Sequence, residues 1–208
     1  ITAQGIYFGE SVNACLTNPD WSKPSDQSAG WQPVLTMTDP GLPLQARHSP
    51  PVRRIEELKP ISRREVKPGV FLYDLGQNMV GWARLKVAAP AGQQITLRFA
   101  EMLGADGNAY TANLRGAEAT ARYTARGDSV EVWEPSFTFF GFRYVEMTGA
   151  SAPLDDAITG IVVHSDLERI GHFESSNPLL NKLYANTLWG QKGNFLELPT
   201  DCPQRDER

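Results

Sequence analysis

Between residues 82 and 100 the chain alternates apolar and polar side chains with a period of two, and no other feature restricts its fold as strongly. Ala83, Leu85 and Val87 fall on one side of a strand whose other side carries Trp82, Arg84 and Lys86. After Pro90-Ala91-Gly92 the pattern resumes with Ile95, Leu97 and Phe99 on one side. Alternation of this kind marks strands with one buried face, and the Pro-Ala-Gly triplet between them is a turn signal. Further short strands are predicted over 71–74, 119–125, 130–133, 137–148 and 157–164. Gly127-Asp128, Glu134-Pro135 and Thr148-Gly149 punctuate them. Many short strands at this spacing imply a mainly β fold, an antiparallel β-sandwich of jelly-roll type over residues 64–165. The 18 glycines and 15 prolines suit a chain with that many turns.

The flanks read differently. Residues 1–63 are rich in Pro and weakly periodic. Trp31-Gln32-Pro33-Val34 and the stretch from Pro50 to Ile55 read as edge strands broken by proline, the tail of a β-rich module plus a connector. After residue 165 the period changes. Ser176-Asn177-Pro178 is a helix start, with a polar cap and proline in the first turn. Leu180, Leu183, Tyr184 and Leu188 then recur at helical spacing, which predicts an amphipathic helix over 178–191 ended by Gly193-Asn194.

Composition narrows the function. With 41% hydrophobic and 21% charged residues the chain is that of a globular protein. A net charge of −4 without a basic stripe argues against nucleic acid as a partner. No apolar run approaches the roughly 20 residues of a membrane span. Ile1 to Glu10 lack the features of a signal peptide, and both cytoplasmic and secreted locations stay open. Cys15 and Cys202 match no metal spacing and are expected to be free thiols. His48, His164 and His172 are scattered and read as structural, so no metal or other cofactor is expected. The chain opens without Met and stops inside a charged segment, which suggests a piece of a longer protein.

The densest polar constellation runs from Thr200 to Arg208 and holds Asp201, Arg205, Asp206, Glu207 and Arg208. Glycoside hydrolysis needs one carboxylic acid to protonate the leaving oxygen and a second carboxylate to activate water or attack, and a nearby Arg can hold sugar hydroxyls. A solvated charged loop has the same composition. A second candidate is Tyr73-Asp74-Leu75-Gly76-Gln77-Asn78-Met79-Val80-Gly81-Trp82, with residue types that bind sugars, although the segment reads more readily as a turn closed by Gly and Asn between two strands. The aromatic run from Phe137 to Val145 reads as sandwich core. Phe137, Phe139 and Tyr144 are expected to be buried, with Phe139→Ala costing about 3–5 kcal/mol.

Taken in order, Tyr7-Phe8-Gly9-Glu10, Pro50-Pro51-Val52-Arg53, Asp74-Leu75-Gly76-Gln77-Asn78, Gly81-Trp82, Ala100-Glu101, the run from Phe137 to Val145, and Thr200-Asp201-Cys202-Pro203-Gln204-Arg205-Asp206-Glu207-Arg208 resemble bacterial α-L-rhamnosidases of glycoside hydrolase family 78. The last two motifs, in this order and at this separation, are the specific ones. The resemblance covers essentially the whole chain. It implies the end of an N-terminal β-sandwich module (1–63), a complete β-sandwich domain (64–165) and the first part of an (α/α)6 catalytic barrel (166–208). It also implies an inverting hydrolase that removes terminal α-L-rhamnose from plant glycosides or polysaccharides. By the same resemblance Glu207 matches the family's proposed general acid, and Asp201 and Arg205 match residues that contact the rhamnose ring. The family's general base lies farther along the barrel, so this chain alone is expected to be inactive. The helix stripe that barrel helices would cover is expected to be exposed and to favour self-association. Two other readings compete: a non-catalytic carbohydrate-binding or scaffolding unit, and a related family with the same layout acting on a different sugar.

Overall fold

The computed structural model describes residues 1–18, 20–24 and 32–205. Ten strands form one hydrogen-bonded network: β1 (Ala3–Gly5), β2 (Gly9–Asn13), β3 (Val52–Leu58), β4 (Ser62–Lys67), β5 (Val70–Val87), β6 (Gln94–Ala100), β7 (Thr120–Thr124), β8 (Glu131–Trp133), β9 (Phe140–Thr148) and β10 (Ile158–Ser165). Along the main path the order is β1-β2-β7-β6-β9-β5-β10-β3, and β4 and β8 also pair with β5. Every pairing is antiparallel except β2 with β7. The mainly β, antiparallel expectation therefore holds, with one parallel pair toward the N-terminal edge.

The period-2 reading holds in detail where it was strongest. Ala83, Leu85, Ile95, Leu97 and Phe99 are all 0% exposed, while Trp82, Arg84 and Lys86 are half-buried on the other face. Each fully buried Leu, Ile or Phe contributes roughly 1.5–3 kcal/mol of hydrophobic free energy, so these two strands anchor the core. The predicted edge strand around Pro50 is β3, which begins after the proline pair and, among the described residues, pairs only with β10. The other predicted edge strand is absent over its described part, Gln32–Val34, and Trp31 lies outside the described residues. Cys15 and Cys202 are both free thiols.

Two expectations need correction. The stretch from Leu75 to Gly81 is not a turn between two strands. β5 runs unbroken from Val70 to Val87, and β9 pairs with it on both sides of a bulge, Asp74 opposite Tyr144 and Met79 opposite Phe142. Asp74 Oδ1 accepts the Gly76 N–H at 2.7 Å, and Gly76 takes φ +77°. The Asp-x-Gly signal thus marks extra residues accommodated in one continuous strand. By this device β5 carries the sheet around a corner. Its first part lies between β4 and β9, and its last part pairs with β10 and β8. Both halves contribute to a single hydrophobic cluster.

The second correction is the phase of the aromatic run. Phe137 is 58% exposed, and Phe139 and Tyr144 are half-buried. The core rings are Phe140 and Phe142, at 2% and 0% exposure. Phe99 stacks on Phe140 with ring centroids 4.0 Å apart and meets Phe142 edge-on at 4.6 Å. Phe137 and Phe139 precede β9. Within the strand the buried parity shifts from Phe140 and Phe142 to Val145 and Met147 opposite the bulge in β5. No single period-2 phase describes all nine residues.

The C-terminal helix α1 (Pro178–Asn194) is capped by Asn177, whose side chain accepts the Leu179 N–H at 2.9 Å. It runs through Gly193-Asn194 and leads into a two-stranded ribbon, β11 (Phe195–Leu196) and β12 (Leu198–Pro199). Leu180 and Leu183 of the predicted stripe are exposed, as is Leu179. Docking uses another face: Trp189 packs on the core and Gly193 is buried.

Candidate active-site cleft

The bulge in β5, the end of β6, the start of β9, the last turns of α1 and the loop after β12 meet at one cleft of about 370 Å³. Gln77, Asn78 and Glu101 line its β side. Asn186, Trp189 and Asn194 line the helical side, and Asp201 and Gln204 the loop side. Parts of the two segments singled out in the sequence, Gln77–Val80 of one and Asp201, Pro203 and Gln204 of the other, thus converge on one depression although more than a hundred residues separate them.

The β side is rigidly built. Arg143 donates from Nε and an η nitrogen to the two Asp74 carboxylate oxygens at 2.7 and 2.8 Å. Those hydrogen bonds, with the Gly76 N–H helping and burial opposing, hold the Asp74 carboxyl below its ordinary range. The same aspartate therefore fixes the bulge that presents Gln77 and Asn78. Asn78 Nδ2 donates to Glu101 Oε1 at 2.9 Å, and Gln77 Nε2 donates to the Asn78 carbonyl at 2.8 Å.

Two glycines let the helical side come close. A Cβ at Gly193 would lie 2.9 Å from Val80 Cγ2, and one at Gly141 would lie 3.1 Å from the Gln204 backbone nitrogen. The loop is tied to the helix end, with the Thr200 N–H donating to Asn194 O at 3.0 Å. Asp201 then takes φ +59°, a left-handed conformation that Asp tolerates better than most side chains, and the Cys202 N–H donates to Thr200 O at 2.8 Å. Asn194 Oδ1 is buried with no hydrogen-bond partner among the described residues, which leaves an acceptor for an incoming donor.

Of the site residues expected from sequence, Asp201 lines the cleft. Arg205 is half-buried just beyond it, its N–H donating to Cys202 O at 3.4 Å. Glu207 and Asp206 lie outside the described residues. Sequence reasoning did not assign Asn186, Trp189, Gly190 and Gly193 to the site. Their i, i+3, i+4, i+7 spacing was a readable signal, but the leucine stripe on another face of the helix was stronger. Among the described residues no group of three or more His, Cys, Asp or Glu side chains is placed to hold a metal. Amides, carboxylates and an indole around an open depression are the groups that bind polyhydroxylated ligands by hydrogen bonds and ring contact.

Comparison with known proteins gives this arrangement a class. Residues 64–164 match the bacterial α-L-rhamnosidase concanavalin-like domain, and residues 168–208 match the bacterial α-L-rhamnosidase six-hairpin glycosidase domain. The cleft thus lies between residues that match the one domain and residues that match the other. An α-L-rhamnosidase of Streptomyces avermitilis is 46% identical over 211 residues, covering 100% of this chain and 20% of the relative. The solved structure of the Streptomyces avermitilis α-L-rhamnosidase complexed with L-rhamnose superposes with a TM-score of 0.92 at 45% identity, over 97% of this chain and 20% of that one. Native α-L-rhamnosidase from Aspergillus terreus superposes with a TM-score of 0.91 at 46% identity, over 98% of this chain and 24% of that one. The chain belongs to the bacterial α-L-rhamnosidases of glycoside hydrolase family 78. It spans about a fifth of the length of the curated relatives it matches.

Proposed function

We propose that this chain is part of an inverting α-L-rhamnosidase that removes terminal α-L-rhamnose from plant glycosides or polysaccharides. On this reading residues 1–63 end an N-terminal β module, 64–165 form the β-domain and 166–208 begin the catalytic helical domain. Glu207 is the general acid, protonating the leaving glycosidic oxygen. Asp201 and Arg205 hold the rhamnose ring, Asp201 as a hydrogen-bond acceptor and Arg205 as a forked donor. A base on the opposite face of the sugar activates water. In an inverting enzyme the two carboxyls stand roughly 6.5–9.5 Å apart, and the base comes from beyond these 208 residues. The observation that carries the reading is Asp201 on the wall of the cleft in a chain 46% identical to an α-L-rhamnosidase.

The exposed Leu179, Leu180 and Leu183 are the face that later helices of the catalytic domain cover. In the isolated chain they promote self-association, measurable by sedimentation velocity. The test of function is p-nitrophenol release from its α-L-rhamnoside. The isolated chain is expected to be inactive, since it lacks the base. In the full-length protein Glu207→Gln is expected to cut turnover of a natural glycoside by about 10²–10⁴-fold, the usual size of a general-acid contribution. Clear turnover by the isolated chain, or near-normal turnover by the full-length variant, refutes the assignment.

A further inference from the structure

Gly141 is a glycine that backbone conformation does not demand. It lies inside β9 opposite Val80, and it is not among the residues with positive φ. What a side chain would meet there is more informative. A Cβ at 141 would stand 3.1 Å from Gln204 Cβ, 3.1 Å from Gln204 N and 3.3 Å from Gln204 Cα. All three atoms belong to one residue of the loop that carries Asp201 and Arg205. Two of them are main chain, so no rotamer change relieves the contact.

The two sides of this contact differ in stiffness. Gly141 pairs with Val80 of β5, and its neighbours, Phe140 and Phe142, are locked into the aromatic core. The loop from Thr200 to Arg205 has no strand or helix of its own, and its hydrogen bonds include Thr200 N–H and Oγ1 to Asn194 O and Gly193 O, Cys202 N–H to Thr200 O and Arg205 N–H to Cys202 O. A methyl group at 141 therefore displaces the loop, by a few tenths of an ångström, rather than the strand.

We infer that Gly141 is a positioning residue, through which the β-domain sets the placement of the loop that carries Asp201 and Arg205 and leads in sequence to Glu207. The inference rests on the proposed roles of Asp201, Arg205 and Glu207. Gly141 acts through Gln204, and its role is to bring the β-layer into direct contact with the loop main chain. Catalysis is sensitive to such placement, because proton transfer requires the acid within hydrogen-bond reach of the leaving oxygen.

The test uses the full-length protein with Gly141→Ala, Gln204→Gly, the double variant and Glu207→Gln. Turnover is measured on a natural α-L-rhamnoside and on a dinitrophenyl α-L-rhamnoside, which needs little protonation to leave, and thermal midpoints are measured alongside. Gly141→Ala is expected to lower kcat on the natural glycoside about tenfold, within the range that sub-ångström misplacement produces. Loss on the dinitrophenyl substrate is expected to stay within about threefold, since the acid contributes little there, and the midpoint stays unchanged. Gln204→Gly removes one of the contacted atoms, so the double variant regains part of the lost turnover. Equal losses on both substrates, no loss on either, or no recovery in the double variant overturns the positioning role. If Gly141→Ala does not fold, the double variant decides: a folded double variant with a leaving-group-dependent loss supports the positioning role, and one with a uniform loss or none, or one that also fails to fold, overturns it. Normal turnover of the natural glycoside by Glu207→Gln refutes the underlying functional reading. An impaired Glu207→Gln beside a normal Gly141→Ala refutes only the positioning role.

Discussion

Replacing Phe142 with Ala removes a ring that is 0% exposed and lies edge-on to Phe99 at 4.6 Å. β9 pairs with β5 here, Phe142 opposite Met79, and the ring sits within a cluster of buried side chains, so its surroundings collapse little into the space left behind. Phe→Ala at such a site costs about 3–5 kcal/mol, the lost transfer free energy plus the residual cavity. For a chain of this size each kcal/mol moves the thermal midpoint by about 2–4 °C, giving an expected fall of about 6–20 °C. Phe137 is 58% exposed, and Phe137→Ala is expected to cost about 0.5 kcal/mol or less, as surface substitutions do. Phe139, half-buried, should fall between them. The assay is thermal unfolding of the three variants by circular dichroism, with urea titration to check that the transition stays cooperative. Equal shifts for Phe137→Ala and Phe142→Ala, or a larger one for Phe139→Ala than for Phe142→Ala, would refute the phase assigned to β9.

The Asp74–Arg143 pair makes stability depend on acid. Because the folded-state pKa of Asp74 is depressed below its ordinary value of 3.8, the carboxylate stabilises the fold above that value, and the contribution is lost as pH falls through the folded value. Midpoints measured below about pH 4 should therefore decline less steeply for Asp74→Asn, which cannot titrate, than for the parent, and parallel declines would rule the linkage out. Gly193→Ala places a methyl 2.9 Å from Val80 Cγ2, which should destabilise the docking of α1 by about 1–3 kcal/mol, the usual cost of overpacking. Adding Val80→Ala should restore it, as read by amide exchange in residues 186–194, and failure of the pair to recover would place the strain elsewhere.

Legibility from sequence followed burial. Where one strand face is buried throughout, as from Trp82 to Val87 and Gln94 to Ala100, the alternation is complete and the inward residues follow directly from it. Where a strand changes neighbours along its length, as β5 and β9 do, the buried face changes with them. Asp74-Leu75-Gly76 carries the same turn chemistry in a bulge as in a hairpin. Only the long-range pairing of Asp74 with Tyr144 and Met79 with Phe142 distinguishes the two, and local pattern does not encode it. The cleft was legible in its parts. Gln77, Asn78 and Asp201 stood out as polar residues of sugar-binding type, but their convergence depends on tertiary placement. Of the glycines that permit the close approach, Gly141 is silent in sequence because it answers no local conformational demand, and Gly193, which reads as a helix terminator, instead lies inside α1.

The corner made by β5 also sets the order in which this chain can fold. Val70 meets Thr148 and Gly81 meets Phe140, so the central pairing closes long loops whose entropy must be lost before many contacts form. β5 and β6 leave the ribosome well before β9 and β10, with Leu85, Ile95, Leu97 and Phe99 lacking the strands that will cover them. Pairings this distant place the chain among slow folders, in the millisecond-to-second range. Until β9 arrives, its two neighbours present the kind of apolar strand edges from which aggregation starts.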